Sequence, residues 1–179
     1  LGLVGVHTME GETAFRAFQQ LRSAGELKLR VLMQIPEDNL DAAIQAGLQS
    51  GFGDERLRIG GVKLFADGAL GARTAWRLDP FEGEPGTYGI AVAEAEQLHQ
   101  VVGTASRAGL AAFVHAIGDR ANREVLDAVE ASRRAGAGLH LRHRIEHVQI
   151  LHPDDIARLA DLGVVASMQP IHATQDMLL

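Results

Sequence analysis

Short apolar runs rich in Val, Ile and Leu alternate along the chain with longer stretches in which apolar residues recur at i, i+3, i+4 and i+7. The first pattern is that of a buried parallel strand and the second that of an amphipathic helix, so the alternation predicts repeated βα units around a parallel sheet. Strands are predicted at about residues 3–9, 27–35, 59–66, 110–117, 143–149 and 163–168, and helices at about 12–25, 40–50, 92–108, 119–135 and 153–162. Leu98, Val101, Val102 and Ala105 illustrate the helical stripe. Four helices end at a glycine that can take the left-handed conformation: Gly25, Gly109, Gly136 and Gly163. Connections from helix to strand are therefore short, while the segments that follow strands are longer and carry Pro, Asp and His. In an α/β barrel or a doubly wound sheet that long-loop side holds the active site. The longest such segment, 67–91, lacks either period and reads as a functional or mobile loop.

The chain has 179 residues, enough for one domain with a sizeable core, and its 46% apolar and 22% charged residues describe a globular protein rather than a disordered tail or coiled coil. No apolar run approaches the ~18 residues of a spanning helix. A net charge of -6, with Lys and Arg scattered, gives no electrostatic reason to expect nucleic acid or an anionic membrane surface, so the expected partner is a small molecule. With no cysteine, any metal must be held by the eight histidines, by Asp or Glu, or by a modified Lys. The chain opens directly on the strand-like Leu3-Val4-Gly5-Val6 and closes on Met177-Leu178-Leu179 without a polar tail, which reads as part of a longer protein.

Three polar residues interrupt apolar strands near their C-terminal ends. In 110–119, Ala111, Phe113 and His115 share one strand face, which a barrel aims inward. His115 is either a core histidine with a backbone partner or a ligand, and Asp119 reads as the N-cap of the next helix. In Arg142-His143-Arg144-Ile145-Glu146-His147-Val148, the apolar residues favour a strand, where His143 and His147 stand ~13 Å apart on one face and cannot share an ion. His147, nearer the C-terminal end, is then the candidate ligand, and Arg144 and Glu146 are expected to pair on the opposite face. In 59–68, Lys63 sits inside an otherwise apolar strand, a place lysine occupies when paired, modified, catalytic or snorkelling to the rim. Asp67 shares its parity but is ~13 Å along the strand, where the long loop starts. One Lys and two His at the ends of three consecutive strands converge on one place and suggest a metal site at the top of a barrel.

The words Gly-Val-Lys-Leu-Phe-Ala-Asp-Gly-Ala-Leu at 61–70, His-Ala-Ile-Gly-Asp at 115–119, Arg-Ile-Glu-His-Val-Gln at 144–149 and Ala-Ser-Met-Gln-Pro-Ile-His at 166–172 resemble the amidohydrolase superfamily, closest to its amidohydrolase-3 or YtcJ-like branch. The resemblance implies a (β/α)8 TIM-type barrel to which this chain contributes about six βα units, barrel strands 2 through 7, as a single incomplete domain over 1–179. It carries over Lys63 as the strand-4 lysine, commonly carboxylated to bridge two metals, and His115 and His147 as the strand-5 and strand-6 ligands. Carboxylation turns a buried cation into an anionic oxygen ligand for one or two divalent ions, expected to be zinc. The family's His-x-His pair on strand 1, its strand-8 Asp, which acts as ligand and proton shuttle, and its small β domain have no counterpart in the 179 residues, and His7, on what would be strand 2, is no substitute.

The implied chemistry is hydrolysis of an amide or cyclic amide by metal-activated water, with Asp67, Arg73, Gln169 and His172 as substrate contacts. With half the ligand set and no shuttle, this chain alone is expected to bind metal weakly and to be inactive, to reside in the cytoplasm, and to self-associate through open sheet edges. The competing reading is a non-catalytic barrel remnant acting as an interaction or regulatory module. A nucleotide-binding doubly wound enzyme is disfavoured, because no Gly-rich phosphate loop follows the first strand.

Overall fold

The computed structural model describes residues 2–176; Leu1 and the terminal Met177-Leu178-Leu179 lie outside the described residues. Strands β1 (Gly5–Thr8), β2 (Arg30–Pro36), β3 (Leu57–Phe65), β4 (Ala111–Ala116), β5 (Arg144–His147) and β6 (Val165–Ser167) form one sheet in chain order, and every neighbouring pair is parallel. Helices α1 (Glu12–Ser23), α2 (Leu40–Gln45), α3 (Ala95–Arg107), α4 (Asp119–Arg134) and α5 (Pro153–Asp161) occupy the crossovers, and a short α6 (His172–Gln175) follows β6. The sheet curls so far that the Arg144 guanidinium on β5 donates to Nδ1 of His7 on β1 at 2.6 Å. The architecture is a curled half-barrel, a partial TIM-type barrel, as the family resemblance implies and as one of the two parallel-sheet folds the alternation of patterns allows. No helix among the described residues is long and apolar enough to cross a membrane.

The outer face of the sheet is sealed by the helices. Val62 and Leu64 of β3, Ala112 and Val114 of β4 and Ile145 of β5 pack with Leu98, Val102 and Ala105 of α3 and Val125, Leu126 and Val129 of α4 into one buried cluster. Each fully buried Leu or Val contributes roughly 1.5–3 kcal/mol of transfer free energy, so this layer holds the strands in place. A smaller cluster under α1 joins Phe15 and Phe18 to Val31 and Leu57.

Gly25, Gly109, Gly136 and Gly163 all have positive φ at the predicted helix stops. The helix predicted at 40–50 is shorter, since a 3-10 turn over Glu37–Asn39 precedes α2 and Gly47, at φ 71°, follows it. Asp119 is not the N-cap of α4. Gly118 occupies that position, and the Asp119 carboxylate instead accepts from the Leu78 and Arg120 backbone N–H groups, each at 2.9 Å. Its side chain ties the 67–91 segment to the barrel, a long-range bond that local capping statistics do not contain.

The approach of β3 to β4 requires a glycine. A Cβ on Gly61 would lie 2.0 Å from the Ala111 carbonyl oxygen, at the first rung of the ladder. Gly61→Ala is expected to lower stability by ~2 kcal/mol or more, the range of severe steric defects. Gly103→Ala, inside α3 with only the Arg107 guanidinium end nearby at 3.3 Å, is expected to raise it by about 0.5–1 kcal/mol. Urea unfolding followed by circular dichroism compares the two.

His143 is buried outside the barrel, its Nδ1 accepting from the Ala112 N–H at 3.1 Å and its Nε2 3.5 Å from Ser106 Oγ. Burial, and then the Arg133 charge, lower its pKa from 6.5 to about 4. The folded chain therefore holds a neutral ring that the unfolded chain protonates below about pH 6.5. Its contribution is intact above that pH and is lost as pH falls toward 4, at about 1.4 kcal/mol per unit. Stability measured between pH 6.5 and 5 should show a shallower slope in His143→Gln than in the parent chain.

Candidate metal centre

Parallel register sets two rows of side chains across the concave face. Lys63, Phe113 and Arg144 form one row, and Phe65, His115 and Glu146 form the next, nearer the C-terminal rim. Ala111, Phe113 and His115 share the inner face, as strand parity predicts. The Arg144 guanidinium lies 4.4 Å from the Phe113 ring centroid, Lys63 Nζ lies 3.8 Å from that of Phe65, and the Phe65 and His115 rings are 5.4 Å apart.

Strict alternation fails at the end of β5. It places His143 and His147 on one face and Arg144 and Glu146 on the other. His143 does turn outward against α3, while Arg144 and Glu146, bonded at 2.6 Å, turn into the barrel. Positive φ values of 78° at His147 and 50° at Val148 then rotate the exiting chain, and His147 is brought back over the rim. Its ring centroid is 4.6 Å from that of His115, in an edge-on arrangement. The Arg144–Glu146 pair thus forms as expected, but on the same side as His147 and close enough for its charges to act on Lys63.

Each of the two imidazoles has one nitrogen occupied by an acceptor. His115 Nε2 donates to the Gly68 carbonyl at 2.7 Å. His147 Nδ1 donates to Gln169 Oε1 at 2.7 Å, and the Gln169 amide is oriented by its own donation to the Ser167 carbonyl at 3.0 Å. These bonds select opposite tautomers, leaving lone pairs on His115 Nδ1 and His147 Nε2. Burial lowers the His115 pKa, which favours the neutral, ligating ring. Neutral imidazoles fixed through their second nitrogen are the form in which histidine binds transition metals.

Lys63 is 4% exposed, donates to the Leu64 carbonyl at 2.8 Å, and does not pair with Asp67. Burial pushes it down to about 8, against the pull of Glu146, whose carboxylate is taken by Arg144. The chemistry of this set, two oriented nitrogen donors beside a buried primary amine, fits a divalent ion whose further ligands come from elsewhere. Among the described residues no three His, Cys, Asp or Glu side chains cluster as ligands, so the pair does not form a closed metal site.

The four expected substrate contacts divide. Asp67 has a fully buried side chain whose carboxylate accepts from the Trp76, Ile117 and Gly118 N–H groups at 2.8–2.9 Å, so it faces the protein and not a substrate. Burial raises its pKa against those bonds. Arg73 pairs with Glu84 within the loop. Gln169 orients His147. His172, bonded to Asp176 at 3.0 Å, lines a cavity of about 280 Å³ beside His147 together with Leu70, Gln149, Met168 and Gln169. Sequence reasoning missed Phe65, Gly68, Gln149 and Asp176. Gly68 acts through its carbonyl, which no side-chain pattern signals, whereas Phe65 has the parity of Lys63 and was open to detection.

Residues 1–179 match the model of the amidohydrolase family. The chain belongs to the amidohydrolase family. It is 34% identical over 92% of its length to Protein LONG AFTER FAR-RED 3 of Arabidopsis thaliana and 31% identical over 98% to the putative amidohydrolase YtcJ of Bacillus subtilis. It superimposes with a TM-score of 0.86, at 36% identity and over 98% of its length, on an uncharacterized metal-dependent hydrolase from Pyrococcus horikoshii OT3. It spans 29%, 33% and 35% of those three chains, about a third of each.

The backbone at His147 is left-handed, with φ of 78°. Asn adopts such a conformation at lower cost than a β-branched residue, so His147→Val is expected to cost about 1–2 kcal/mol more than His147→Asn in chemical denaturation.

Proposed function

We propose that this chain is the central, metal-binding part of a metal-dependent amidohydrolase that hydrolyses C–N bonds of small amides or cyclic amides. The observation that carries this reading is the pair His115 and His147, 4.6 Å apart and held in complementary tautomers at the C-terminal rim of parallel strands. The family membership and the metal-dependent hydrolase fold neighbour support it.

His115 Nδ1 and His147 Nε2 would hold a divalent ion, zinc by the preference of imidazole donors. When bound, such an ion supplies Lewis acidity toward a carbonyl and toward water. Lys63, as the neutral amine, would add to CO2 with loss of a proton, giving a carbamate whose oxygens complete the anionic side of the site. The Phe65 ring shields that amine from solvent, and Gln169 keeps the His147 ring from rotating. The cavity between Leu70 and His172 would receive the substrate, with Gln149 and His172 as its polar contacts. Gly68 and Gln169 are reserved for orienting the imidazoles, which removes Gln169 from substrate recognition on this reading.

For the 179 residues alone we expect weak metal affinity and no turnover, because the ligands named are two imidazoles and one lysine. Calorimetric titration of the purified chain with zinc, together with elemental analysis after dialysis, tests the assignment. Saturable binding that weakens at least tenfold in the His115→Ala, His147→Ala double variant is expected. Equal binding by the double variant, or none by the parent chain, overturns the pair as a metal site.

A further inference from the structure

We propose that Asp67 is a positioning residue for the metal centre: by clamping the start of the 67–91 loop to the end of β4, it holds the Gly68 carbonyl against His115 Nε2 and so fixes which nitrogen His115 offers to a metal. This rests on the reading of His115 as a ligand.

The carboxylate joins three pieces of chain. It belongs to the exit of β3, it accepts from Trp76 N–H within the loop at 2.9 Å, and it accepts from Ile117 and Gly118 N–H at 2.9 and 2.8 Å. The last two amides follow His115 by two and three residues, so the carboxylate grips the same strand end that carries the imidazole. The next residue, Gly68, presents its carbonyl to His115 Nε2 at 2.7 Å, while Asp67 Oδ1 itself lies 3.6 Å from that nitrogen. A carboxylate at that distance also disfavours turning the ring to present a lone pair there. The segment has no slack: a Cβ on Gly68 would fall 2.1 Å from Thr74 Oγ1, and Thr74 Oγ1 accepts from Ala69 N–H at 2.9 Å. A loop anchor alone needs no such proximity, as Asp119 shows. That carboxylate pins the same loop at Leu78 without being bonded to His115.

Asp119→Asn therefore serves as the control for Asp67→Asn, since it makes the same change in the other carboxylate bonded to this loop, and that carboxylate does not reach the imidazole. The ¹⁵N chemical shifts of the His115 ring in the metal-free chain report the tautomer, and zinc titration reports affinity. The parent chain and Asp119→Asn should show the Nε2–H form of His115. Asp67→Asn should show a mixture of tautomers and zinc affinity reduced about tenfold or more, the usual scale for an orienting partner of a metal-bound histidine. If Asp67→Asn does not fold, Gly68→Ala displaces the same carbonyl with the carboxylate intact and should give the same shift.

A parent chain in the Nδ1–H form overturns the proposal, as does an unchanged tautomer in Asp67→Asn, or the same change in Asp119→Asn. The tautomer readout needs no metal. Failure of zinc binding in every variant with the tautomer pattern intact would count against the metal-centre reading and leave the positioning role standing.

Discussion

The close parallel approach of β3 and β4 is the constraint on which the other features depend. At Gly61 the two backbones come so near that the Ala111 carbonyl occupies the place a side chain would need. From that contact the ladder runs upward in register, pairing Lys63 with Phe113 and Phe65 with His115. Because side chains alternate along each strand, the residues that pack against α3 and α4 and those that face the interior are set together, and no single strand can slip without exposing apolar surface. The helices supply the burial, and the rim geometry follows from it.

The interior face is unusual for a barrel in its charge. Arg144 has Glu146, His7 and the Phe113 ring as partners, an arrangement that offsets much of the cost of burying a guanidinium. Lys63 has a carbonyl and an aromatic face. Two cations and one carboxylate therefore share a region from which water is largely excluded, and Lys63 is the member whose charge is least compensated. Burial responds by lowering its pKa, so a neutral amine is within reach at moderately alkaline pH. The same pressure keeps His115 neutral, which is why ligating chemistry and structural economy coincide on this face.

The long segment after β3 is a framework and not a free lid. Asp67 and Asp119 bind it at Trp76 and Leu78, Thr74 crosslinks its first turn, and Trp76 packs so tightly on Gly118 that a Cβ there would lie 1.9 Å from the Trp76 carbonyl oxygen. A loop fastened in this way can present a backbone carbonyl as reliably as a side chain. The orientation of His115 thus depends on an atom contributed by glycine, held by carboxylates bonded to backbone amides of other segments.

The sequence by itself determined the architecture and the neighbourhood of the site. Period-two and period-3.6 patterns separated strands from helices, glycines marked the helix ends, and polar residues in apolar strands marked the rim, because each of these signals is local in the chain. His115 could be assigned to the inner face for the same reason, whereas parity put Arg144 opposite His147 and the structure has both on one side. The positions of His147, Asp67, Asp119 and Gln169 were decided only in three dimensions. His147 faces the centre through a left-handed turn that strand parity does not encode. Asp67 bonds amides 9 to 51 residues away, and Asp119 reaches that of Leu78, 41 residues earlier. Gln169 meets an imidazole 22 residues earlier in the chain. A hydrogen bond between distant segments leaves no periodic trace in either one, so tertiary structure alone assigns it.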